Sequence, residues 1–241
     1  MLVVGFPAGP WGTNCWVLAP AAGEQCVIVD PGKDSADGIE EAVREHGLAP
    51  VAVLLTHGHI DHVWSVVPVC GARGIPAYLH PSDRHLLTDP GAGLSNQTRD
   101  MLGTITGGVL SFGEPDDLRE LTDGLEIELA GLTLVVDHAP GHTGGSVMFR
   151  RTGEAGVPPL LISGDVLFEG SIGRTDLPGG DHAAMLRSLS SKVLPLDDET
   201  VVLPGHGGTT TVGRERVENP YLVALAASPA DLSPPAQTRG L

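Results

Sequence analysis

The chain has 241 residues, of which 41% are hydrophobic, and this is enough to form one large buried core. Acidic residues number 30 against 14 basic ones, a net charge of −16, which argues against nucleic acid or an anionic membrane surface as a partner. The three cysteines form no Cys-x-x-Cys pair, so the sequence favours a reducing cytoplasm over a disulfide framework. We see no signal peptide, and no apolar run approaches the ~20 residues of a membrane helix.

Short apolar runs bounded by glycine and proline predict strands through most of the chain. In chain order these strands are predicted over residues 1–4, 15–18, 26–29, 51–55, 77–79, 126–129, 132–136, 146–149, 160–162 and 200–203. Apolar residues at helical spacing predict helices between them. These helices are predicted over residues 35–46, 63–70 with an interruption near Pro68, 81–87, 181–193 and 212–218.

The ends of the chain and of its helices carry their own signals. Asp34 or Ser35 is the expected N-cap of the first helix and Gly47 its end, and Asp181 is the expected N-cap of the helix over 181–193. From about residue 226 the chain is rich in Ala, Ser and Pro, a composition typical of a disordered tail. We therefore expect a single domain over residues 1–225 and a disordered tail over 226–241.

The strand predicted over residues 51–55 runs directly into a cluster of metal-competent side chains. His57, His59, Asp61 and His62 fall within six residues. Imidazole binds zinc, iron or manganese through a ring nitrogen, and a carboxylate binds these ions through oxygen. Loops at strand ends commonly carry function, so the segment predicts a metal site. The alternative is a histidine-rich loop of unrelated surface residues.

Three later segments repeat this form, an apolar run that ends in glycine and one possible ligand. The ligands are His142, Asp165 and His206. Because glycine lets the backbone turn sharply, strand ends of this kind can converge on one point. Together with the first cluster they supply seven ligands, a number that suits two metal ions sharing one carboxylate.

The pattern His57-x-His59-x-Asp61-His62, followed by single His, Asp and His residues, resembles the metallo-β-lactamase superfamily. Within it the chain is most similar to short bacterial members of the glyoxalase II, or hydroxyacylglutathione hydrolase, group. The resemblance runs from about residue 6 to about residue 222 and includes the motifs Asp30-Pro31-Gly32, Pro140-Gly141-His142-Thr143, Ser163-Gly164-Asp165, Gly173-Arg174-Thr175-Asp176 and Pro204-Gly205-His206-Gly207. It implies an α/β fold, a four-layer αβ/βα sandwich of two mixed sheets with helices outside and the site at one edge.

The resemblance also implies a role for each ligand. The seven residues divide into a three-histidine group for one ion, a mixed group for the other, and one bridge: His57, His59 and His142; Asp61, His62 and His206; and Asp165. We expect two divalent ions, with zinc preferred and iron or manganese as alternatives. Asp61 and Asp165 would be catalytic together with a hydroxide held between the ions.

The leaving group distinguishes the possible substrates. A thiolate leaves readily because a thiol pKa is about 8.5, whereas an amide nitrogen must first be protonated. The ligand set leaves no obvious spare general acid, which favours a thioester. We therefore expect a small-molecule substrate, a thioester of a 2-hydroxy acid such as lactoylglutathione or a related thiol ester.

The chain departs from glutathione-dependent members after the bridging aspartate. Those members carry Cys-Gly-Lys-Phe-Tyr and a helical domain with basic residues, whereas this chain has Gly170-Ser171-Ile172-Gly173-Arg174. The thiol carrier is consequently open: glutathione, another small thiol or coenzyme A. Arg174 either pairs with a substrate carboxylate or forms a structural ion pair with Asp176.

Two further roles come from the resemblance. Asp30 would orient a ligand histidine or its loop, with an ordinary Asp-Pro-Gly turn as the alternative. Residues 88–113 are either a substrate lid over the metal site or a variable surface connection, and residues 97–105 within them are a candidate helix.

Other functions remain as alternatives at this point. The Gly-Arg-Thr-Asp run also occurs in persulfide dioxygenases, which use one iron that would lie on His57, His142 and Asp165. A non-catalytic protein of the same fold is a second alternative. A β-lactamase is less favoured, because those enzymes typically lack an aspartate at the position of Asp165. The sequence leaves the oligomeric state open.

Overall fold

Two six-stranded sheets form the centre of the protein in the computed structural model, which describes residues 1–105, 112–154 and 156–227. The first sheet has the strand order β1-β2-β3-β4-β5-β6. Its strands are β1 (Leu2–Ala8), β2 (Thr13–Ala19), β3 (Gln25–Val29), β4 (Ala49–Leu54), β5 (Ala77–Leu79) and β6 (Leu118–Glu120). The sheet is mixed, because β1, β2 and β3 pair antiparallel whereas β3 to β6 pair parallel.

The second sheet contains the later strands in the order β14-β13-β10-β9-β8-β7. These are β7 (Glu126–Leu129), β8 (Leu132–His138), β9 (Val147–Arg151), β10 (Leu160–Gly164), β13 (Val201–Pro204) and β14 (Thr210–Thr211). Only the β10–β13 pair is parallel. A separate two-stranded pair is formed by β11 (Leu167–Phe168) and β12 (Ser171–Ile172).

Helices cover the outer face of each sheet. The helices are α1 (Ala36–His46), α2 (Ile60–Val63), α3 (Val66–Arg73), α4 (Asn96–Ile105), α5 (His182–Ser188), α6 (Val212–Glu218) and α7 (Pro220–Ala227). Helices α1 and α3 lie on the first sheet, and α5 and α7 lie on the second. Short 3-10 turns occupy Pro81–Leu87 and Pro90–Gly93, and α5 continues into a π-helical turn over Leu189–Val193. None of the described helices is both long and apolar enough to cross a membrane.

Three buried apolar clusters hold the layers together. The central cluster lies between the sheets, where Leu18 of the first sheet and Phe149 of the second are both fully buried. A second cluster joins the first sheet to α1 and α3 through residues such as Ile39, and a third joins the second sheet to α5 and α7 through residues such as Met185. Burying an apolar side chain of this size stabilises a fold by about 1.5–3 kcal/mol. This layer order confirms the predicted αβ/βα sandwich.

Most predicted elements lie within a few residues of the observed ones, and α1 shows why. Ile39 and Ala42 face the core and charged residues face water, Ser35 occupies the N-cap position, and Gly47 ends the helix with a φ of 64°. A left-handed residue at this position is the usual helix end, and glycine adopts it without steric cost. The sequence correctly predicted Ser35 as a candidate for the N-cap position. Its side chain makes no capping hydrogen bond, however, so it does not stabilise the helix in the expected way.

The helix predicted over residues 63–70 is interrupted at a different place. The break lies at Trp64 and Ser65, between α2 and α3, and Pro68 is the third residue of α3. Proline is tolerated there because the first-turn N–H groups have no partner within the helix. The prediction of a break near Pro68 was therefore wrong.

The less regular segments are described only in part. The predicted helix over 97–105 is present as α4, whereas residues 106–111 lie outside the described part of the chain. Helix α7 continues to Ala227, two residues into the segment predicted to be a tail, and residues 228–241 also lie outside the described part.

Candidate metal centre

The seven predicted ligands all follow carboxyl ends of strands at one edge of the two sheets. The first sheet supplies the loop between β4 and α2, which contains His57 and His59, and α2, which carries Asp61 and His62. The second sheet supplies three ligands in the loops after β8, β10 and β13: His142, Asp165 and His206. Gly164 makes the sharp exit from β10 with a φ of 48°, a conformation that glycine adopts readily.

The structure brings these ligands together in three overlapping triads. Within each triad the ligand atoms lie within 4.8 Å of one another, and the triads are His57, His59 and His142; His57, His62 and Asp165; and Asp61, His62 and His206. His57 and His62 each belong to two triads. The outer triads are the three-histidine group and the mixed group expected from the sequence, and the middle one joins them.

Asp165 lies between the two groups. Its Oδ2 atom is 3.4 Å from His142 Nε2 and 3.6 Å from His206 Nε2, and its Oδ1 atom is 3.3 Å from His62 Nε2. One carboxylate therefore contacts histidines from both groups, which is the geometry required of a shared ligand.

Hydrogen bonds from the Nδ1 atoms of two ligand histidines fix which ring nitrogen faces the centre. His142 Nδ1 donates to the Arg174 carbonyl at 2.8 Å and His62 Nδ1 donates to Asp30 Oδ2 at 2.9 Å. In a neutral ring the other nitrogen is then an acceptor, so each Nε2 atom would offer a lone pair to a cation that replaces its present partner or proton; His142 Nε2 lies 2.8 Å from His59 Nδ1. His57 Nε2 is buried there without a hydrogen-bond partner. Clustered lone pairs of this kind fit a divalent cation, and the residues present therefore suit the metal that the resemblance implies.

The electrostatics divide the histidines into two classes. Burial, reinforced by neighbouring histidines, lowers the pKa of His57 well below its usual value and lowers that of His59 to about 3. Burial also disfavours the charged form of His62, but Asp165, Asp61 and Asp30 outweigh it and raise the pKa of that ring. Burial likewise disfavours the charged form of Asp165, but His62, with His142 and His206, outweighs it and lowers the pKa of Asp165 to about 2. The carboxylates are consequently ionised, and two of the histidines are neutral, at physiological pH.

Asp30 supports the mixed group from the end of β3. Its side chain is buried, accepts from the Thr56 N–H at 2.8 Å and from the Thr56 hydroxyl at 2.6 Å, and contacts the His62 ring. The contact with a ligand histidine is the one expected for this residue. A left-handed φ of 50° at Asp30 turns the carboxylate toward that ring.

A second buried carboxylate, Asp83, was not anticipated from the sequence. It lies in the 3-10 turn Pro81–Leu87 and is 1% exposed. Its oxygens accept from the Gly58 N–H, the Thr143 hydroxyl and the Gly145 N–H at 2.6–2.9 Å. The local sequence His80-Pro81-Ser82-Asp83 is an ordinary turn composition, and its partners lie 25 to 62 residues away in sequence, so no local pattern indicated them.

Arg174 contributes to the centre through its backbone. The carbonyl oxygen holds His142, whereas the guanidinium group forms a two-pronged ion pair with Asp176 at 2.7 and 2.8 Å. Both side chains are more than half exposed. Of the two roles left open by the sequence, the structural ion pair is the one present here.

The open side of the centre lies at the mixed group. Asp61 is 20% exposed and His206 is 29% exposed, whereas the other five ligand residues are buried. The turn between β1 and β2 borders this side, since the Thr13 hydroxyl donates to Asp61 at 3.1 Å. Next to it Trp64 packs against Trp11, with ring centres 6.0 Å apart.

A cavity of about 400 Å³ adjoins this aromatic pair. It is lined by the start of α3, by Trp64 and by Phe112, whose ring centre is 5.8 Å from that of Trp64. None of the seven ligands lines it, and its lining residues Val63 and Trp64 directly follow His62 in the sequence. The volume is within the range of small-molecule sites in proteins.

Comparison with known proteins gives this centre a family context. The family model described as "Metallo-beta-lactamase superfamily" matches residues 8–206. A Mycobacterium tuberculosis protein is 47% identical over 228 residues, spanning 94% of this chain and all of that protein. The probable metallo-hydrolase YqgX of Bacillus subtilis is 38% identical, spanning 90% and 95% of the two chains. Hydroxyacylglutathione hydrolase GloC of Haemophilus influenzae is 31% identical, spanning 90% and 96%.

Solved structures give the same result. The crystal structure of the BLEG-1 B3 metallo-beta-lactamase superposes with a TM-score of 0.79 at 40% identity, covering 92% of this chain and 99% of that one. The di-iron-bound form of TTHA1623 superposes with a TM-score of 0.73 at 36% identity, covering 92% and 100%. The chain therefore belongs to the metallo-beta-lactamase superfamily of metallo-hydrolases.

Proposed function

We propose that the protein is a two-metal hydrolase that cleaves a thioester of a 2-hydroxy acid, with lactoylglutathione or a related thiol ester as substrate. The observation that carries this proposal is the set of three overlapping triads linked by Asp165. Two divalent cations would supply Lewis acidity and would lower the pKa of a bound water toward neutrality. Zinc is our first candidate, and the di-iron relative makes iron the second.

The three-histidine group would hold one ion and the mixed group the other, with Asp165 between them. Asp61 and Asp165 are ionised and keep their oxygens as acceptors. Asp30 and the Arg174 carbonyl keep His62 and His142 in fixed tautomers. The chain's contribution is therefore a rigid, pre-oriented ligand set, which reduces the reorganisation needed during catalysis.

The direction of substrate approach follows from exposure. Since Asp61 and His206 are the exposed ligands, the scissile carbonyl would reach the centre from the side of the mixed group. The Trp11–Trp64 pair and the adjoining cavity offer apolar surface for the remainder of the molecule.

The choice of a thioester rests on the leaving group. Asp30 and Asp83, the buried carboxylates beside the ligands, are both occupied by hydrogen bonds within the protein. A leaving group that departs without protonation suits such a site, and a thiolate does so because thiol pKa values are near 8.5. The relationship to a hydroxyacylglutathione hydrolase supports the same substrate class.

A β-lactam is the second candidate substrate. The solved structure with 40% identity is described as a B3 metallo-beta-lactamase, although the sequence had made this class less favoured. A β-lactam amide is strained, so its opening depends less on leaving-group protonation than that of an ordinary amide. The same metal centre would serve either reaction, and the assay below separates them.

The test is a substrate panel on protein with measured metal content. We would assay lactoylglutathione, the corresponding coenzyme A thioester, a chromogenic cephalosporin, and oxygen uptake on glutathione persulfide. Thioester turnover with two ions per chain, lost with chelator and restored by zinc, is the expected result. Asp165→Ala should abolish activity and lower metal content. Full activity in that variant, or oxygen uptake with a single iron and no thioester turnover, would overturn the proposal.

A further inference from the structure

We propose that Asp83 is a positioning residue that holds the three-histidine group in its ligand geometry. It would thereby control the affinity of the ion bound by the three-histidine group, separately from the affinity of the ion bound by the mixed group. This inference rests on the metal centre proposed above and deepens it. Asp83 is not a ligand, because its oxygens are taken up by donors from the two loops that carry the ligands.

The contacts of Asp83 join the two ligand-bearing loops. Its Oδ2 atom accepts from the Gly58 N–H at 2.9 Å, and Gly58 lies between His57 and His59. The same oxygen accepts from the Thr143 hydroxyl at 2.6 Å, directly after His142. All three histidines of the group are therefore adjacent in sequence to a residue that Asp83 binds. The two loops come from different sheets, so one carboxylate sets their separation.

The second oxygen closes this arrangement. Asp83 Oδ1 accepts from the Gly145 N–H at 2.8 Å, and the Thr143 hydroxyl also lies 2.8 Å from Ser146 Oγ. The loops pass so close to Asp83 that a Cβ atom at Gly145 would lie 2.6 Å from its carboxyl carbon, and one at Gly58 would lie 2.9 Å from its carbonyl oxygen. The carboxylate is thus enclosed by the two loops and has no room for a different orientation.

A carboxylate is required because every partner is a donor. An ionised aspartate offers only acceptors, whereas an asparagine of the same shape presents an amide N–H₂ on one side. That group would face either the Gly145 N–H or the Gly58 N–H and Thr143 hydroxyl. A buried donor facing a donor is costly, so we expect the loops to separate in Asp83→Asn.

Asp30 provides a matched comparison within the same chain. It is equally buried. It accepts hydrogen bonds from Thr56, which precedes His57, and from His62 at the end of the same ligand segment. His62 belongs to the mixed group. Asp30 therefore supports the mixed group directly and reaches the three-histidine group only through the Thr56 hydroxyl, 3.1 Å from His57 Nδ1, whereas Asp83 holds the loops of the three-histidine group alone.

The experiment compares Asp83→Asn with Asp30→Asn and the wild type in metal-binding measurements that do not depend on turnover. Stepwise affinities for zinc would be measured by chelator competition. Cobalt(II) would report which group is filled, through the cobalt-shifted ring N–H signals of His142 and His62 in NMR spectra. Removing a supporting residue of this kind weakens metal binding about 10- to 100-fold. We expect Asp83→Asn to show this loss for one ion, with the His142 signal lost and the His62 signal kept, and Asp30→Asn to show the reverse.

A second pair of variants keeps the test valid if Asp83→Asn does not fold. Thr143→Val removes one donor to Asp83 and should weaken the same ion by a smaller factor, whereas Thr143→Ser keeps the hydroxyl and should restore wild-type affinity. Wild-type affinities in Asp83→Asn, or in Thr143→Val where Asp83→Asn does not fold, would overturn the inference, and so would equal weakening of both ions in either variant. A wild-type chain that binds no ion would instead remove the proposed function, and this inference with it.

Discussion

Replacing Gly205 by alanine tests whether the backbone at the end of β13 must pass directly over the ligands. A Cβ atom built at Gly205 would lie 2.7 Å from His62 Cε1 and closer still to Asp165 Oδ1. Real Cβ atoms do not approach other atoms so closely. One of the two ligands, or the backbone, therefore has to move.

The backbone at this position is held from both sides. The Gly205 N–H donates to the Gly164 carbonyl at 2.9 Å, and the Gly205 carbonyl accepts from the Asn14 N–H at 2.7 Å. Displacement therefore falls on Asp165. Overpacking of a closely packed interior costs about 1–3 kcal/mol, and at 1.36 kcal/mol per tenfold this makes the intact arrangement roughly 5- to 160-fold rarer.

The assay is thioester hydrolysis by Gly205→Ala at fixed zinc, with metal content measured on the same sample. We expect kcat/KM to fall by a factor within that range and metal content to drop below that of the wild type. The control is Gly71→Ala in α3, where a Cβ atom meets nothing within 4 Å. Alanine in a helix is about 0.5–1 kcal/mol more favourable than glycine, so this control should keep full activity and melt slightly higher. A Gly205→Ala protein with full metal content and kcat/KM within twofold of the wild type would refute the reasoning.

Three further outcomes are expected. Removing metal should lower the melting temperature, because zinc at about 100 times its Kd raises the free energy of unfolding by about 2.7 kcal/mol. Calorimetry with and without chelator measures this difference, and equal melting curves would contradict it. Arg174→Ala keeps the carbonyl that holds His142 and removes only the exposed ion pair with Asp176, so it should change stability by no more than about 1 kcal/mol and leave KM unchanged for acidic and neutral thioesters alike; a KM raised only for the acidic ones would contradict the structural role. Burial raises the pKa of Cys26 to about 11 and that of Cys70 to about 12, above the ordinary 9.0. The unfolded chain then loses these protons first, so stability is full below pH 9 and falls as the pH rises from there toward 11–12. Denaturant midpoints should show this fall, and it should shrink in Cys26→Ala and Cys70→Ala; a midpoint constant up to pH 11 would contradict the argument.

The sequence was most informative where strand periodicity and ligand chemistry coincide. His142, Asp165 and His206 each follow an apolar run and a glycine, the His57 cluster follows the apolar run 51–55, and the chain reaches the same sheet edge at the end of each such run. That is why the positions of His57, His142, Asp165 and His206 in one cluster were predictable from spacing and from the family pattern. The layer order was predicted from the family resemblance and not from the pattern of strands and helices.

The features that sequence did not reveal depend on contacts between distant segments. Asp83 acts through backbone N–H groups and a hydroxyl in two other loops, and hydrogen bonds to backbone groups leave no residue-type signature in their partners. The break between α2 and α3 lies at Trp64 and Ser65 because Ser65 bonds the Gly32 carbonyl and the Pro31 carbonyl. Pro68 is the stronger local signal, and tertiary contacts override it.

The division of the ligands between the sheets has a consequence for the integrity of the molecule. The first sheet is made entirely from residues 2–120 and the second from residues 126–211, so each half of the polypeptide builds its own slab. A cation bound by both Asp165 and His62 would link the two sheets, because these ligands come from different halves of the chain. Two separately produced halves, divided near Asp123, would then reassemble more readily with zinc than without it.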